Sequence, residues 1–191
     1  MNERKKIIEK LLPTTQYGCF FRLVELSDAE FILSLRNDQN LSRYLNKTSN
    51  KLEDQINWLK EYKLRETQGT DFYIICMSED KKTRYGLNRI YDIGIDDFEF
   101  GSWLYGSEAP KDKSILGNIF SNTLAFEFLH LKTCKVSVRK SNKSVHRYIK
   151  SYNPIFLSED ELSYYYSFGY QDWNKRRLEL LRLLGNEPMQ I

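Results

Sequence analysis

The order of apolar segments along this chain predicts an α/β (α+β) domain built around a mixed sheet. Three observations carry that expectation. Strand-like runs at 71–77, 85–93 and 97–105 follow one another across short polar segments, the pattern of an antiparallel meander. Helix-period segments stand before and after them and alternate with later short strands, which calls for crossovers as well as hairpins. Hydrophobic residues make up 41% of the 191 and charged residues 29%. Such a chain buries roughly 70% of its unfolded surface without disulfide or metal staples.

Taken in order, residues 3–12 form a short amphipathic helix, with Ile7, Ile8, Leu11 and Leu12 on one side and Pro13 as its stop. Residues 19–26 are aromatic and β-branched and read as the first strand. Ser27 and Glu30 stand in the Ser-x-x-Glu order of a capping box, so a helix begins there and runs to about Arg36. A second helix over 51–65 is carried by Leu52, Ile56, Leu59 and Leu64. The meander of three strands follows, then a polar loop at 106–113. Ser114 is the expected N-cap of the longest helix, whose apolar face is Ile115, Ile119, Leu124, Phe128 and Leu131. A strand at 135–139, a helix at 142–152, one or two strands within 155–168 and a helix at 172–184 ended by Gly185 complete the chain. No repeat, low-complexity segment or linker interrupts it, so 1–191 reads as a single domain.

The charge balance, +3 from 29 basic and 26 acidic residues, is too small and too dispersed for a nucleic-acid binder. Cys19, Cys76 and Cys134 are odd in number and widely spaced, and read as buried reduced thiols. The basic start is too polar for a secretory signal, and no apolar run approaches the ~18–20 residues of a membrane span. A cytoplasmic protein without membrane contact is expected. With only His130 and His146, and no Cys-x-x-Cys, no metal site is expected either. Nucleophile elbows and P-loops are absent from the sequence.

What remains is a shape. The strand 97–105 leads into a lysine-bearing loop and then into the longest helix. A helix start offers free N–H groups and partial positive charge to a pyrophosphate, with Lys111 and Lys113 beside it. A solvated loop ahead of a core helix is the competing reading of the same residues.

At this point the sequence resembles the GNAT acyltransferase superfamily over roughly residues 19–170, in the branch of ribosomal-protein N-acetyltransferases and amino-sugar-nucleotide N-acetyltransferases. The carriers are the run from Phe21 through Asp28 to Leu35-Arg-Asn-Asp38, the helix containing Leu52-Glu-Asp-Gln-Ile-Asn-Trp58, Gly86-Leu-Asn-Arg-Ile-Tyr-Asp92, Glu99-Phe-Gly-Ser-Trp-Leu104, and Asn142-Lys-Ser-Val145 with His146. The resemblance implies a mostly antiparallel sheet, split between two parallel strands, with helices on both faces. It implies acetyl-CoA as acyl donor, its pantetheine in the split against Trp103, Leu104 and Tyr105. The pyrophosphate falls at Lys111, Lys113, Ser114 and Gly117, and Asn142 matches a cofactor-contacting asparagine. The acceptor, a small-molecule amine linked to a nucleotide, would meet Arg36, Asn37, Arg89 and Tyr91; ion pairing of these arginines with Asp38 or Asp92 is the competing account. A homodimer is compatible with the resemblance.

The phosphate loop departs from the family pattern [RQ]-x-x-G-x-[GA], in which glycines let backbone approach phosphate. Counting back from Asn142 puts Asp112 and Ser114 on the glycine positions, and another register puts Ser114 and Leu116 there. The place of the family's acidic Tyr is Ile149, with Tyr148 one residue before. Acyl transfer needs a base for the amine and an acid for the thiolate. Glu99 is the expected base, His146 a proton relay and Tyr148 the substitute acid. A solvent-facing Glu99 and packing roles for His146 and Tyr148 stay open beside these. The leading expectation is an N-acetyltransferase acting on an amino-sugar nucleotide in surface-polysaccharide synthesis. A protein α-amine acceptor and a non-catalytic binding module are the alternatives.

Overall fold

The protein, described by a computed structural model over residues 2–45 and 48–189, is built on an eight-stranded sheet in the order β1-β2-β3-β4-β5-β6-β8-β7. Its strands are β1 (Thr14–Gln16), β2 (Cys19–Leu23), β3 (Phe72–Ser78), β4 (Arg84–Tyr91), β5 (Asp97–Tyr105), β6 (Thr133–Arg139), β7 (Ile155–Glu159) and β8 (Ser163–Gly169). Every neighbouring pair is antiparallel except β5–β6. The helices are α1 (Glu3–Leu11), α2 (Ala29–Asn37), the one-turn α3 (Gln39–Ser42), α4 (Leu52–Gln68), α5 (Lys113–Thr123), α6 (Lys143–Lys150) and α7 (Tyr170–Leu183).

The uninterrupted apolar run of β3 follows from burial on both faces. Phe72, Ile74 and Cys76 point into one core, shared with α1, α5, α6 and α7, while Tyr73, Ile75 and Met77 point into another, shared with α2 and α4. In the first core the rings of Phe21 and Phe120 stack 3.9 Å apart and clamp β2 to α5. Burying each such ring contributes about 2–3 kcal/mol.

Several boundaries differ from the sequence expectation. A three-residue strand, β1, precedes the expected first strand and pairs with it through a two-residue turn at Tyr17 and Gly18, both with positive φ. Its polar Thr-Thr-Gln carries no apolar signal. The capping box lies two residues earlier than Ser27 and Glu30: Asp28 accepts from the Glu25 N–H at 2.9 Å and a 3₁₀ turn, Leu26–Asp28, precedes α2. Asp28 is fixed there because Arg22 grips it at 2.7 and 2.8 Å and Arg84 lies at 3.3 Å. The N-cap of α5 is Asp112, not Ser114. The expected long helix is α5 followed by a π-helical turn, Leu124–Phe128, before the chain turns into β6. Helix α4 runs three residues further than expected and stops at Gly69, which adopts the left-handed conformation.

Candidate active site at the split between β5 and β6

The parallel pair β5–β6 is short. It holds only from Asp97↔Thr133 to Glu99↔Lys135, after which the strands part. On one side β5 stays bonded to β4, and on the other β6 stays bonded to β8 along its full length. The parting has a local cause. Between Gly101↔Arg89 and Leu104↔Leu87, β5 has two residues, Ser102 and Trp103, opposite the single residue Asn88. Ser102 takes a φ of +47°. This bulge bends β5 away from β6 and leaves two strand edges facing a gap.

That gap opens into a cleft of about 750 Å³ on the α2–α4 side of the sheet. Phe100 to Trp103 of β5 and Val136 to Arg139 of β6 form its floor, and Asn142, Val145 and Ile149 close one end. Its walls carry three arginines, Arg36, Arg89 and Arg139, with Trp58, Tyr91 and Tyr165 among them. Arg89 is fixed by Asp71, which takes a hydrogen bond from Nε at 2.8 Å and a second from Nη2. Its guanidinium lies 5.0 Å from the Trp58 ring centroid and 4.5 Å from that of Tyr91. Arg89 is thus ion-paired, as the competing account had it, but with Asp71 and not with Asp38 or Asp92. Arg36 donates to Thr48 Oγ1 at 3.1 Å. Arg139 reaches the Tyr44 carbonyl and Ser163 Oγ, each at 3.4 Å. Burial pushes the Tyr73 hydroxyl, also on the wall, up to about 12 against the opposing pull of Arg36 and Arg89.

Of the residues singled out in the sequence, Arg36, Arg89, Tyr91, Trp103 and Asn142 meet in this cleft. Glu99 stands at the last paired rung of β5 and accepts from the Tyr91 hydroxyl at 2.6 Å. Asn142 caps α6 by accepting from the Val145 N–H at 3.2 Å. The others lie elsewhere. Asn37 is exposed at the end of α2. The Leu104 side chain is buried in the α2–α4 core. Tyr105 turns beneath α5, where its hydroxyl accepts from Asn88 Nδ2 at 2.8 Å. Gly117 makes room for that hydroxyl, because a Cβ there would lie 1.8 Å from it. Glycine at 117 therefore answers a packing demand on the core side of α5.

His146 sits outside the cleft lining, stacked on Tyr164 and Tyr166, and shares a 2.8 Å hydrogen bond with the Tyr166 hydroxyl. Burial and the charges of Lys150 and Lys143 lower its pKa, favouring the neutral ring. Tyr148 is tucked under the Trp103 ring, 5.1 Å away. Its hydroxyl donates to Asn118 at 3.0 Å and meets that of Tyr152 at 2.6 Å. Burial raises its pKa.

The first turn of α5 suits an anion. Asp112 caps none of the first-turn N–H groups with its side chain, and its carboxylate instead pairs with Lys113 at 3.3 Å. Main-chain donors at this end therefore stay available for a phosphate. Lys113 also donates to the Tyr17 carbonyl at 2.9 Å, which anchors it to the β1–β2 turn. Lys111 is exposed on the approach to the helix. Sequence reasoning missed Trp58, Tyr73 and Arg139 as cleft residues. Arg139 carried the one available signal, a cation ending a strand beside the predicted split.

No family model matches this chain, and no curated protein matches it. Solved structures do. Apo FdhC, a nucleotide-linked sugar GNAT, is 29% identical with a TM-score of 0.77, covering 88% of this chain and 96% of its own. The ribosomal-protein-S5-alanine acetyltransferase of Vibrio fischeri is 16% identical with a TM-score of 0.69, over 84% and 97% of the two chains. The spermidine N-acetyltransferase of Vibrio cholerae, in complex with CoA and spermine, is 17% identical with a TM-score of 0.66, over 83% and 99%. With its strand order, its bulged and parted parallel pair and these likenesses, the chain has the fold of the GNAT acetyltransferases.

Proposed function

We propose that the protein is an acetyl-CoA-dependent N-acetyltransferase whose acceptor is the amine of an amino-sugar nucleotide. The observation that carries the acceptor is the meeting of Arg36, Arg89 and Arg139 with Trp58 and Tyr91 on one cleft beside the split. Guanidinium groups bind phosphate and carboxylate oxygens, although the Nε–Nη2 edge of Arg89 is already held by Asp71. The likeness to a nucleotide-linked sugar GNAT supports the same reading. A polyamine, the acceptor named for the spermidine enzyme, would meet a lining of three arginines, one of them paired with Asp71, against the carboxylate of Asp160.

In this reading the free edges of β5 and β6 hold the pantetheine arm by main-chain hydrogen bonds, and the open first turn of α5 takes the pyrophosphate. The thioester then lies near the fork, where Glu99 stands behind Tyr91. The amine must lose a proton to attack, and the departing thiolate must gain one.

Two measurements test this. Calorimetric titration with acetyl-CoA should give micromolar binding, about −8 kcal/mol, and no binding up to millimolar donor would favour the non-catalytic module. Thiol release from acetyl-CoA should then be followed with amino-sugar nucleotides, free amino sugars, spermidine and an N-terminal peptide as acceptors. Turnover confined to the nucleotide-linked amines is the expected result. Preference for the peptide would overturn the acceptor and leave the acyltransferase standing.

A further inference from the structure

We propose that Tyr91 is a catalytic residue, relaying the acceptor amine's proton to Glu99, an inference that rests on the acyl-transfer reading above. Tyr91 lines the cleft and Glu99 does not. Glu99 is half-buried beside the cleft, and the Tyr91 hydroxyl, hydrogen-bonded to it at 2.6 Å, connects it with the cleft lining. The pair lies on the last rung before the strands part, with Tyr91 directly opposite Glu99 and Glu99 beside Lys135. Lys135 is drawn off to Asp97 by an ion pair of its own.

The tyrosine ring is held on several sides. It lies over Gly101, where a Cβ would come within 3.0 Å of Cε1 and 3.1 Å of the hydroxyl oxygen. The Arg89 guanidinium covers its face at 4.5 Å, itself fixed by Asp71. A ring so confined keeps its hydroxyl on Glu99 while leaving the oxygen's lone pairs for a donor from the cleft. Burial and the Glu99 carboxylate raise the pKa of this hydroxyl, which suits a neutral relay and not a standing phenolate.

The step balances without another reactant. An ammonium N–H bond breaks as its proton passes to Tyr91 Oη, and the Tyr91 O–H bond breaks as that proton passes to Glu99 Oε1. Tyrosine ends neutral, the carboxyl is protonated and the amine has its lone pair. The amine attacks the thioester carbonyl, the C–S bond then breaks, and the proton the nitrogen sheds on becoming an amide neutralises the thiolate.

The test is a single-turnover cycle of Tyr91→Phe, Glu99→Gln and the double variant, on proteins matched in Tm and in acetyl-CoA Kd. Each single change should slow acetyl transfer about 100-fold with acceptor KM within about two-fold. The double variant should be no slower than the worse single one. The wild-type rate measured in mixtures of light and heavy water should curve as for two protons in flight. Gly101→Ala, which crowds the ring by a few tenths of an ångström, supplies a graded version of the defect that vanishes when Tyr91→Phe is present. A Tyr91→Phe protein with an intact rate and a raised acceptor KM overturns the relay and makes Tyr91 a binding contact. Multiplicative losses overturn it as well. Should Glu99→Gln keep the wild-type rate, the assignment of Glu99 as base falls, relay included, and an absence of acetyl-CoA binding would instead remove the acyl-transfer reading.

Discussion

The indole Nε1 of Trp103 donates to the Ser114 carbonyl at 2.9 Å, tying the splayed end of β5 to the first turn of α5. One side chain thus links the strand edge assigned to the pantetheine with the helix start assigned to the pyrophosphate. Trp103 also packs on Phe100 and Tyr148, at 6.3 and 5.1 Å between ring centroids, so its ring position does not depend on the hydrogen bond alone. Trp103→Phe should keep most of that packing and release the helix start. The expected outcome is an acetyl-CoA Kd raised about five- to ten-fold, the worth of one hydrogen bond, with Tm little changed. Calorimetry reads it directly, and an unaltered Kd would show the first turn of α5 to be held without the indole.

Lys111 and Lys113 lie two residues apart and differ in their partners. Lys113 is bonded to the Tyr17 carbonyl and paired with Asp112, whereas Lys111 is exposed. Lys111→Ala should therefore weaken acetyl-CoA binding several-fold, most visibly at low salt, and leave Tm in place. Lys113→Ala should lower Tm by a few degrees, as loss of about 1 kcal/mol does in a chain of this size. Equal losses of affinity in both variants would argue that Lys113 exchanges Tyr17 for phosphate on binding.

Arg139 closes the far wall of the cleft from β6. Removing a guanidinium that bonds an anionic group costs about 1.5–3 kcal/mol, so Arg139→Ala should raise the KM of a nucleotide-linked acceptor about 10- to 100-fold. Donor affinity should stay within two-fold. Steady-state kinetics at saturating acetyl-CoA measure this, and an unchanged KM would remove Arg139 from the acceptor site.

Asp28 is buried and held by Arg22, the Glu25 N–H and Arg84. Burial alone would raise its pKa, but the hydrogen bonds and the two guanidinium charges together hold it below the ordinary carboxylate value. A carboxyl depressed in the folded state contributes stability that is present above its unfolded pKa and lost as pH falls through the folded one. Tm should accordingly fall more steeply below about pH 4 in the wild type than in Asp28→Asn. Parallel acid limbs in the two proteins would refute the linkage. At pH 7 the variant itself should be destabilised by about 1.5–3 kcal/mol, the worth of a hydrogen bond to a charged group, because the Arg22 and Arg84 guanidiniums left behind are partly exposed.

Much of the sheet was legible in the chain itself. The apolar run of β3, burying both faces, and the strand-like runs of β4 and β5 mark three central strands, because burial writes itself into the pattern of side chains. Asn142 and Gly185 mark helix ends through local chemistry that acts over three or four residues. The family resemblance was legible too, since it is carried by residues near in sequence, such as the run from Glu99 to Leu104.

Tertiary structure decided which of those residues face one another. Two residues of β5 standing opposite the single Asn88 make the bulge, and no periodicity in β5 announces it. Asp71 became the partner of Arg89 only because β3 and β4 pair side by side, with Tyr73 opposite Arg89. Gly117 read as a phosphate-loop glycine, yet it is required by a tyrosine hydroxyl twelve residues upstream. Tyr91 read as a surface for the acceptor, and the cross-strand register set it against Glu99. Helix, strand and cap obey forces between neighbours along the chain. The cleft depends on register, twist and the meeting of distant side chains, which are settled only when the two cores close on the sheet.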